Sequence, residues 1–234
     1  MLFGEIIEII DSEPHCAALN MAIDEALLEG ASSPLLRVYQ WLRPSLSFGY
    51  FGRFESVAKA WPGREMVRRW TGGGVVLHGE DITYTLIVPR GSPFSRHSAR
   101  ESYRIIHEEI AAHLSGQGRA IGVAAGASGK GSAASGKGSA ANGKTSDACF
   151  ENPVAFDLLA GGMKIAGAAQ RRTQAGLLHQ GSIRDPGMRR CISKGLAGVF
   201  AREAARRKLT TREMERAQVL AAQKYATEDW MRKF

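Results

Sequence analysis

The stretch CFENPVAFDLLAGGMKIAGAAQRRTQAGLLHQGSI, residues 149–183, contains three short apolar runs bounded by turn-forming residues. Their lengths are those of β-strands, and Gly161-Gly162 between the first two is typical of a hairpin turn. In that hairpin Lys164 lies opposite Leu159. The three predicted strands are residues 154–159, 164–171 and 176–183.

The same stretch combines a cysteine with a lysine. A thiolate is a strong nucleophile, but free cysteine has a pKa of ~8.5, so Cys149 needs a nearby cation to ionise at neutral pH. Lys164 is the candidate cation, and a purely structural cysteine is the alternative. Cys149 lies ten residues before Leu159, about 33 Å of straight strand. We therefore predict a bend at Asn152-Pro153, with Cys149 on a mobile loop and Lys164 on the sheet.

A second dense stretch, RRWTGGGVVLHGEDITYTLIV at residues 68–88, holds three consecutive glycines between arginines and a histidine. A backbone without side chains brings its N–H groups against a ligand, so this loop predicts a site for a carboxylate, a phosphate or an oxyanion. A tight structural turn is the alternative. Strand alternation directs only one of Arg68 and Arg69 into the site, and the sequence does not decide which. The candidate binding residues here are Arg69, Gly72, Gly73, Gly74 and His78.

Further candidates come from the first stretch. His179 is a possible general base, with a buried, hydrogen-bonded histidine as the alternative. The small residues after Lys164 leave room beside it for a ligand or another backbone. They add Gly167, Ala168 and, after the histidine, Gly181 to the candidate binding residues.

Periodicity elsewhere predicts both strands and helices. Strands followed by helices without strict alternation indicate an α+β fold, with mixed or antiparallel sheets packed against helices. The length suits one domain of residues 1–234. We predict strands at 3–10, 35–41, 46–50 and 66–69, a hairpin of 75–77 with 82–88, helices at 14–30, 54–60, 98–114 and 191–200, and a long helix at 210–233 capped by Thr210, with everything after 183 helical.

Residues 126–146 differ in kind. They carry the unit ASGKGSA twice and then a shortened copy, built from Gly, Ser, Ala and Lys. Two short polar repeats bury nothing, so we predict a flexible loop. It either covers a site or is an inert insertion.

The charge, the cysteine spacing and the lengths of the apolar runs limit the classes of partner and the compartment that the chain fits. The formal charge is +8 and the three cysteines are widely spaced. That spacing fits neither a disulfide framework nor a metal site, and it favours a reducing cytoplasm. No apolar run has the ~20 residues of a membrane span. The charge favours an acidic partner, and no nucleic-acid-reading motif is present.

Together, RRWTGGGVVLHGEDITYTL, CFENPVAFDLL, GGMKIAGAAQRR and LLHQGSI resemble the superfamily of lipoate–protein ligases and octanoyltransferases, which shares its catalytic fold with biotin–protein ligases. NMAIDEALL and WLRPSLSFGYF are similar to its first helix and following strands. A cysteine before the lysine resembles the cysteine-dependent octanoyltransferase branch. Gly79 departs from the aspartate that the family often has after the histidine, so no role is assigned to it.

The resemblance implies octanoyl transfer without a cofactor or metal. Cys149 would take the octanoyl group from octanoyl-acyl carrier protein as a thioester, with Lys164 lowering its pKa. A lysine of a lipoyl domain, in a 2-oxoacid dehydrogenase or a glycine-cleavage H protein, would then receive it. The rivals are an ATP-dependent lipoate–protein ligase, a lipoyl amidotransferase and a non-catalytic acyl-binding scaffold.

Overall fold

A computed structural model describes residues 1–125, 153–184 and 195–234. The strands are β1 (Phe3–Ile10), β2 (Leu35–Tyr39), β3 (Ser45–Phe48), β4 (Glu65–Arg68), β5 (Val76–Leu77), β6 (Ile82–Pro89), β7 (Ile121–Val123), β8 (Leu158–Ala160), β9 (Met163–Arg172), β10 (Gly176–Ile183) and β11 (Ala201–Lys208). The α-helices are α1 (Ala17–Gly30), α2 (Phe54–Ala60), α3 (Ala99–Gly116), α4 (Leu196–Phe200), α5 (Thr211–Leu220) and α6 (Glu228–Met231). A 3₁₀ turn (Pro93–Arg96) and a π turn (Ala221–Tyr225) complete the elements described.

Eight strands form a mixed sheet in the order β11-β1-β2-β6-β10-β9-β8-β7, and β4-β3-β5 form a smaller one. The strand β1 is parallel to both β2 and β11, whereas β2, β6, β10, β9 and β8 pair antiparallel. The predicted α+β class with mixed sheets is confirmed.

Alternating residues divide the core between the two faces of the large sheet. On one face Leu177 and Tyr84 pack with Ile106 and Ile110 of α3. On the other face Leu178 packs with Ile23 of α1, which in turn contacts α5. No helix in the described parts of the chain is long and apolar enough to cross a membrane.

The hairpin of the opening stretch is confirmed in register. Gly161 and Gly162 both have positive φ, and Lys164 lies opposite Leu159. A side chain at either glycine would strain this two-residue turn, which explains why the sequence signal is reliable.

Two strand assignments were wrong. The predicted hairpin of 75–77 with 82–88 does not form, because β5 pairs with β3 in the small sheet while β6 lies between β2 and β10. The segment 201–208, predicted as helical, is β11. Its sequence AREAARRK lacks an apolar alternation because most of the strand is exposed at the sheet edge, where pairing with β1 decides its conformation.

The C-terminal helix is interrupted. Thr210 accepts from the Glu213 amide, and the Glu213 side chain accepts from the Thr210 amide, so the predicted cap is confirmed. The α-helix ends at Leu220, however, and α6 begins separately at a second cap, Thr227. The repeat at 126–146 and the first part of the predicted 191–200 helix lie outside the described residues.

Candidate functional site

A pocket, called here the inner pocket, lies between the small sheet and the α1 side of the large sheet. The empty space in and in front of it is about 460 Å³, a volume that includes open solvent. Its apolar wall comes from Met21, Tyr39, Trp41 and Val76. The other lining residues are Ser47, Arg69, Gly73, His78, Thr83, Gly167, Ala168, Ala169, Gln180, Gly181 and Ser182.

The glycine loop is wrapped around Arg69. The guanidinium donates to the carbonyls of Gly72 and Gly74, each at 2.9 Å, and to Ser47 Oγ at 2.7 Å. Gly73, with φ +89°, lies at the pocket itself. Among the described residues, no acceptor receives the amide N–H groups of these glycines. The loop therefore holds backbone donors without a partner among the described residues, and one of these glycines, Gly73, lines the pocket.

Arg68 is on the opposite side of its strand. It is fully buried and donates to the carbonyls of Tyr50, Gly52, Trp230 and Met231. The structure thus places Arg69 at the pocket, whereas Arg68 binds the C-terminal segment through its hydrogen bonds to Trp230 and Met231. Strand alternation predicted that only one of the two arginines faces the site, but it did not predict which one.

His78 stands in a chain of buried hydrogen bonds. Ser47 Oγ accepts from Arg69, so its hydroxyl donates to His78 Nε2, 2.7 Å away. The His78 Nδ1–H then donates to Asp81 Oδ2 at 2.8 Å. Burial lowers the pKa of His78, so the imidazole is neutral at pH 7. Burial opposes ionisation of Asp81, yet contacts with His78, Ser182 and Thr83 hold its pKa at about 2.

Trp41 fixes the imidazole plane from the pocket side. The two rings stack with centroids 3.9 Å apart and planes 12° apart. The indole N–H donates to Thr83 Oγ1 at 2.8 Å, so the tryptophan cannot rotate without losing that bond. This wall of the inner pocket is rigid.

A second hydrogen-bonded group ties the glycine loop to the core. Asp24 of α1 accepts from Gln180 Nε2 at 2.7 Å, and Gln180 Oε1 accepts from the Thr71 hydroxyl at 2.7 Å. Thr71 directly precedes the glycines. Further donors to Asp24 are Arg37, Tyr39 and Thr85.

Lys164 forms a buried ion pair. Its Nζ lies 2.8 Å from Asp157 Oδ2, and both side chains are 1% exposed. Asp157 also accepts from the Tyr103 hydroxyl at 2.6 Å and from the Val154 amide at 2.6 Å. The Tyr103 oxygen in turn accepts from the Ala168 amide at 3.0 Å. Lys164 is therefore held by groups from α3, the 153–157 segment and β9 together.

Gly167 makes room for that lysine. A Cβ at position 167 would stand 2.7 Å from Lys164 Cε and 2.8 Å from its Nζ. The space that the small residues were predicted to leave is thus filled at this position by the lysine itself. The ammonium lies just behind the pocket-lining backbone.

An open groove of about 810 Å³, the outer groove, adjoins the inner pocket. Gly73, Ala168 and Ala169 line both. Val154 and Phe156, from the described segment that begins at residue 153, also line the groove. Cys149 itself and Asn152 of the predicted bend lie outside the described residues. Their placement stays a prediction.

His179 lies on the other face of β10 from Gln180 and Ser182. It is fully buried, with Nε2 3.2 Å from the Tyr84 hydroxyl and Nδ1 3.0 Å from the Gln170 amide. It lines neither the inner pocket nor the outer groove. This placement matches the alternative of a buried, hydrogen-bonded histidine.

Two histidines on this face are held neutral by burial. Burial lowers the pKa of His107 to about 4. The pKa of His179 is well below its ordinary value, mainly because the ring is buried and to a smaller extent because His107 is close to it. The unfolded chain therefore binds these protons more readily than the folded one, and acid favours unfolding.

We expect the free energy of unfolding to fall as the pH drops from 6.5 toward 4.5. Each such histidine contributes up to about 1.4 kcal/mol per pH unit, with no loss above pH ~7. Urea denaturation at pH 7.5, 6.5 and 5.5 measures the slope. His107→Gln, which keeps a donor for the Phe156 carbonyl, should make it shallower. An unchanged slope in this variant would contradict the assignment.

Several residues of this site escaped the sequence analysis. The sequence predicts Asp157 only as part of the strand 154–159 and Tyr103 only as part of the helix 98–114. A polar residue inside an apolar run such as VAFDLL was the available signal, because a buried carboxylate needs partners. The others are Ser47, Trp41, Asp81, Gln180 and Asp24.

The arrangement is that of a lipoate–protein ligase fold. A putative lipoate protein ligase of T. acidophilum with bound lipoic acid matches at a TM-score of 0.69 and 21% identity, covering 100% of both chains. Lipoate-protein ligase A bound with ATP matches at 0.68 and 20%, covering 98% of each. The family model of the lipoyl protein ligase A/B catalytic domain matches residues 16–185, and this chain belongs to that family.

Curated relatives are similar over most of the chain. Octanoyltransferase LipM of Moorella thermoacetica is 36% identical over 188 residues, 77% of this chain and 65% of the relative. Octanoyltransferase LipM of Oceanobacillus iheyensis is 35% identical over 182 residues, 74% and 62% respectively. The chain thus spans somewhat under two thirds of the length of these relatives.

Proposed function

We propose that this chain moves an octanoyl group from octanoyl-acyl carrier protein to a lysine of a lipoyl-domain protein. The group would pass through a thioester on Cys149. The relatives named octanoyltransferase support the reaction class. The main structural support for the location of the site is the buried Lys164–Asp157 ion pair. It lies behind the backbone that separates the inner pocket from the outer groove.

The inner pocket suits the acyl chain. Burying an eight-carbon chain at ~0.8 kcal/mol per CH₂ contributes roughly 5 kcal/mol. The apolar side chains Met21, Tyr39, Trp41 and Val76 supply that surface. The polar side chains His78, Ser47 and Asp81 hydrogen-bond to one another, so an apolar neighbour leaves none of these three without its partner.

The transfer consists of two balanced steps. The Cys149 thiolate attacks the thioester carbonyl, the Sγ–C bond forms, the bond to the carrier sulfur breaks, and that sulfur leaves as a thiol after taking a proton. The acceptor amine then attacks the octanoyl-Cys149 carbonyl, its nitrogen forms the amide, and the cysteine sulfur leaves. The amine loses a proton as the sulfur leaves. A thioester is already activated, so no nucleotide is consumed.

Two groups favour this chemistry electrostatically. The Lys164 ammonium stabilises an adjacent thiolate. The N–H groups of the glycine loop, which have no acceptor among the described residues, are suited to the negative oxygen of the tetrahedral intermediate.

The acceptor in this proposal is a lipoyl domain, as in 2-oxoacid dehydrogenases or the glycine-cleavage H protein. A structural neighbour from Thermoplasma acidophilum is described as a bi-partite lipoate protein ligase with its E2 lipoyl domain, at a TM-score of 0.65 and 19% identity. At this identity the likeness shows a shared fold alone.

Intact mass measurement tests the thioester. With octanoyl-acyl carrier protein and no ATP, we expect the chain to gain one octanoyl group. Cys149→Ala should gain none, whereas Cys16→Ala, a matched change at the free, half-buried cysteine before α1, should gain it normally. Adding an apo lipoyl domain should discharge the adduct onto the acceptor lysine.

Other outcomes point to the rivals. Acylation that needs ATP and survives Cys149→Ala would identify a ligase. Loading only from an octanoylated or lipoylated lipoyl domain would identify an amidotransferase. No turnover with any donor would leave a binding scaffold and end the proposal.

A further inference from the structure

Aromatic rings and cations form a surface beside the glycine loop, here called the cationic–aromatic surface. Its aromatic members are Tyr50, Phe51 and Trp70, and Phe51 is 73% exposed. The cations are Arg171, Lys224 and Lys233.

Arg171 is held between two rings. Its guanidinium carbon lies 5.4 Å from the Tyr50 ring centroid and 5.1 Å from that of Trp70. Within the described parts of the chain it has no carboxylate and no hydrogen-bond acceptor, and its Nε is buried without a partner. A cation positioned by aromatic stacking but left unneutralised is suited to an external anion.

The two lysines extend the positive charge. The Nζ of Lys224 lies 4.3 Å from the Trp70 centroid and pairs with Glu25. The Nζ of Lys233 lies 5.2 Å from the Tyr50 centroid, and no carboxylate among the described residues pairs with it. A hydrogen bond from Lys233, with Arg171 and Lys224 nearby, lowers the pKa of the Tyr50 phenol below its ordinary value. Two of its three cations, Arg171 and Lys233, therefore have no paired carboxylate among the described residues, and the surface is positive.

This surface adjoins the candidate site. The Tyr50 amide donates to the Thr71 carbonyl at 2.9 Å, directly before the glycines. Arg171 follows the pocket-lining Ala169 by two residues on β9. It is four residues beyond Gly167, where the Lys164 ammonium lies, or about 13 Å of strand.

We propose that the cationic–aromatic surface docks the acidic face of the acyl carrier protein that donates the octanoyl group. This proposal rests on the proposed function and assigns its donor surface. The chain carries a formal charge of +8, and complementary charges speed and orient association.

Position favours the donor over the acceptor. An acceptor lysine reaches only as far as its own four methylenes, so the backbone around it has to come up to the pocket opening. A carrier holds its thioester at the end of a long flexible arm, so its protein body docks away from the opening. A positive surface about 13 Å along β9 from the ammonium fits the second arrangement.

Charge reversal in the full chain tests the proposal. Arg171→Glu/Lys233→Glu should lower kcat/KM for octanoyl-acyl carrier protein by about tenfold or more, mainly through KM, and remove most of its dependence on KCl. With octanoyl-pantetheine, which lacks the carrier protein, the variant should match the unaltered chain. The single variants Lys233→Glu and Arg171→Gln serve as a check that the double variant does not act by displacing the glycine loop.

Arg202→Glu/Lys208→Glu is the matched control, because it reverses two exposed charges on the edge strand β11. It should leave both donors unaffected. Equal loss with both donors, or no loss with the carrier, would overturn the proposal. So would a raised KM for the lipoyl acceptor with an unchanged KM for the carrier. If the unaltered chain used neither donor, the proposed function would fail instead.

Discussion

Asp157→Asn lowers the free energy of unfolding by about 3–5 kcal/mol, because it removes the carboxylate that the buried Lys164 ammonium faces. The size follows from burial, since both side chains are 1% exposed and water cannot replace the carboxylate. Asparagine keeps the shape, so the loss reflects charge rather than a cavity. Urea denaturation of the full chain measures it.

Lys164→Met, alone and together with Asp157→Asn, distinguishes the effect of the ion pair on the free energy of unfolding from its effect on turnover. It removes the ammonium while filling much of its volume, and we expect turnover to fall by about 10²–10³-fold, the usual cost of losing one charge-stabilising group. Combining it with Asp157→Asn leaves no buried charge at the pair, so the double variant should be more stable than Asp157→Asn alone while its turnover stays as low as that of Lys164→Met.

The reactivity of Cys149 gives an independent readout of the same change. Without the ammonium, rapid alkylation of Cys149 should need a higher pH. An unchanged alkylation profile in Lys164→Met would show that the lysine does not act on the thiol. A double variant no more stable than Asp157→Asn would show that the pair is not what the substitution disrupts.

Gly49→Ala displaces the glycine loop and lowers turnover by about 10²-fold, the cost of misplacing reacting groups by roughly 1 Å. A Cβ at position 49 would stand 1.9 Å from the Gly73 carbonyl oxygen and 2.8 Å from the carbonyl carbons of Gly72 and Gly73. These are backbone atoms, so relief requires moving the loop and with it its hold on Arg69. The accompanying loss of stability should be about 1–3 kcal/mol.

Steady-state transfer assays and urea denaturation together measure this effect. Gly30→Ala is the control, because a Cβ there meets nothing within 4 Å. It should change stability by no more than about 0.5–1 kcal/mol and leave turnover intact. Normal turnover in Gly49→Ala would mean that the position of Gly73 does not matter to the reaction.

Local signals in the sequence were sufficient where the interaction itself is local. The Gly161-Gly162 turn fixed the β8–β9 register because positive φ at two successive residues admits little else. Thr210 and Ser98 begin helices as capping boxes that close within four residues. The α+β class followed from the order of such elements.

Pairing partners distant in sequence were not readable in the same way. The strand β5 has two residues and takes its partner β3 from about 30 positions earlier. The strand β11 forms because β1, some 200 residues away, offers a free edge. The intrinsic β-propensity of the residues does not predict β5 or β11, because strand pairing and burial have a larger effect than propensity.

The sequence by itself determined the family, the lysine on a hairpin and the glycine loop, because each rests on residues close together in the chain. Only the tertiary structure decided that Arg69 rather than Arg68 faces the pocket, that His179 lies behind it, and that Asp157 and Tyr103 hold Lys164. The physical reason is that buried charges and polar groups require partners, and a fold supplies them from whichever segments meet.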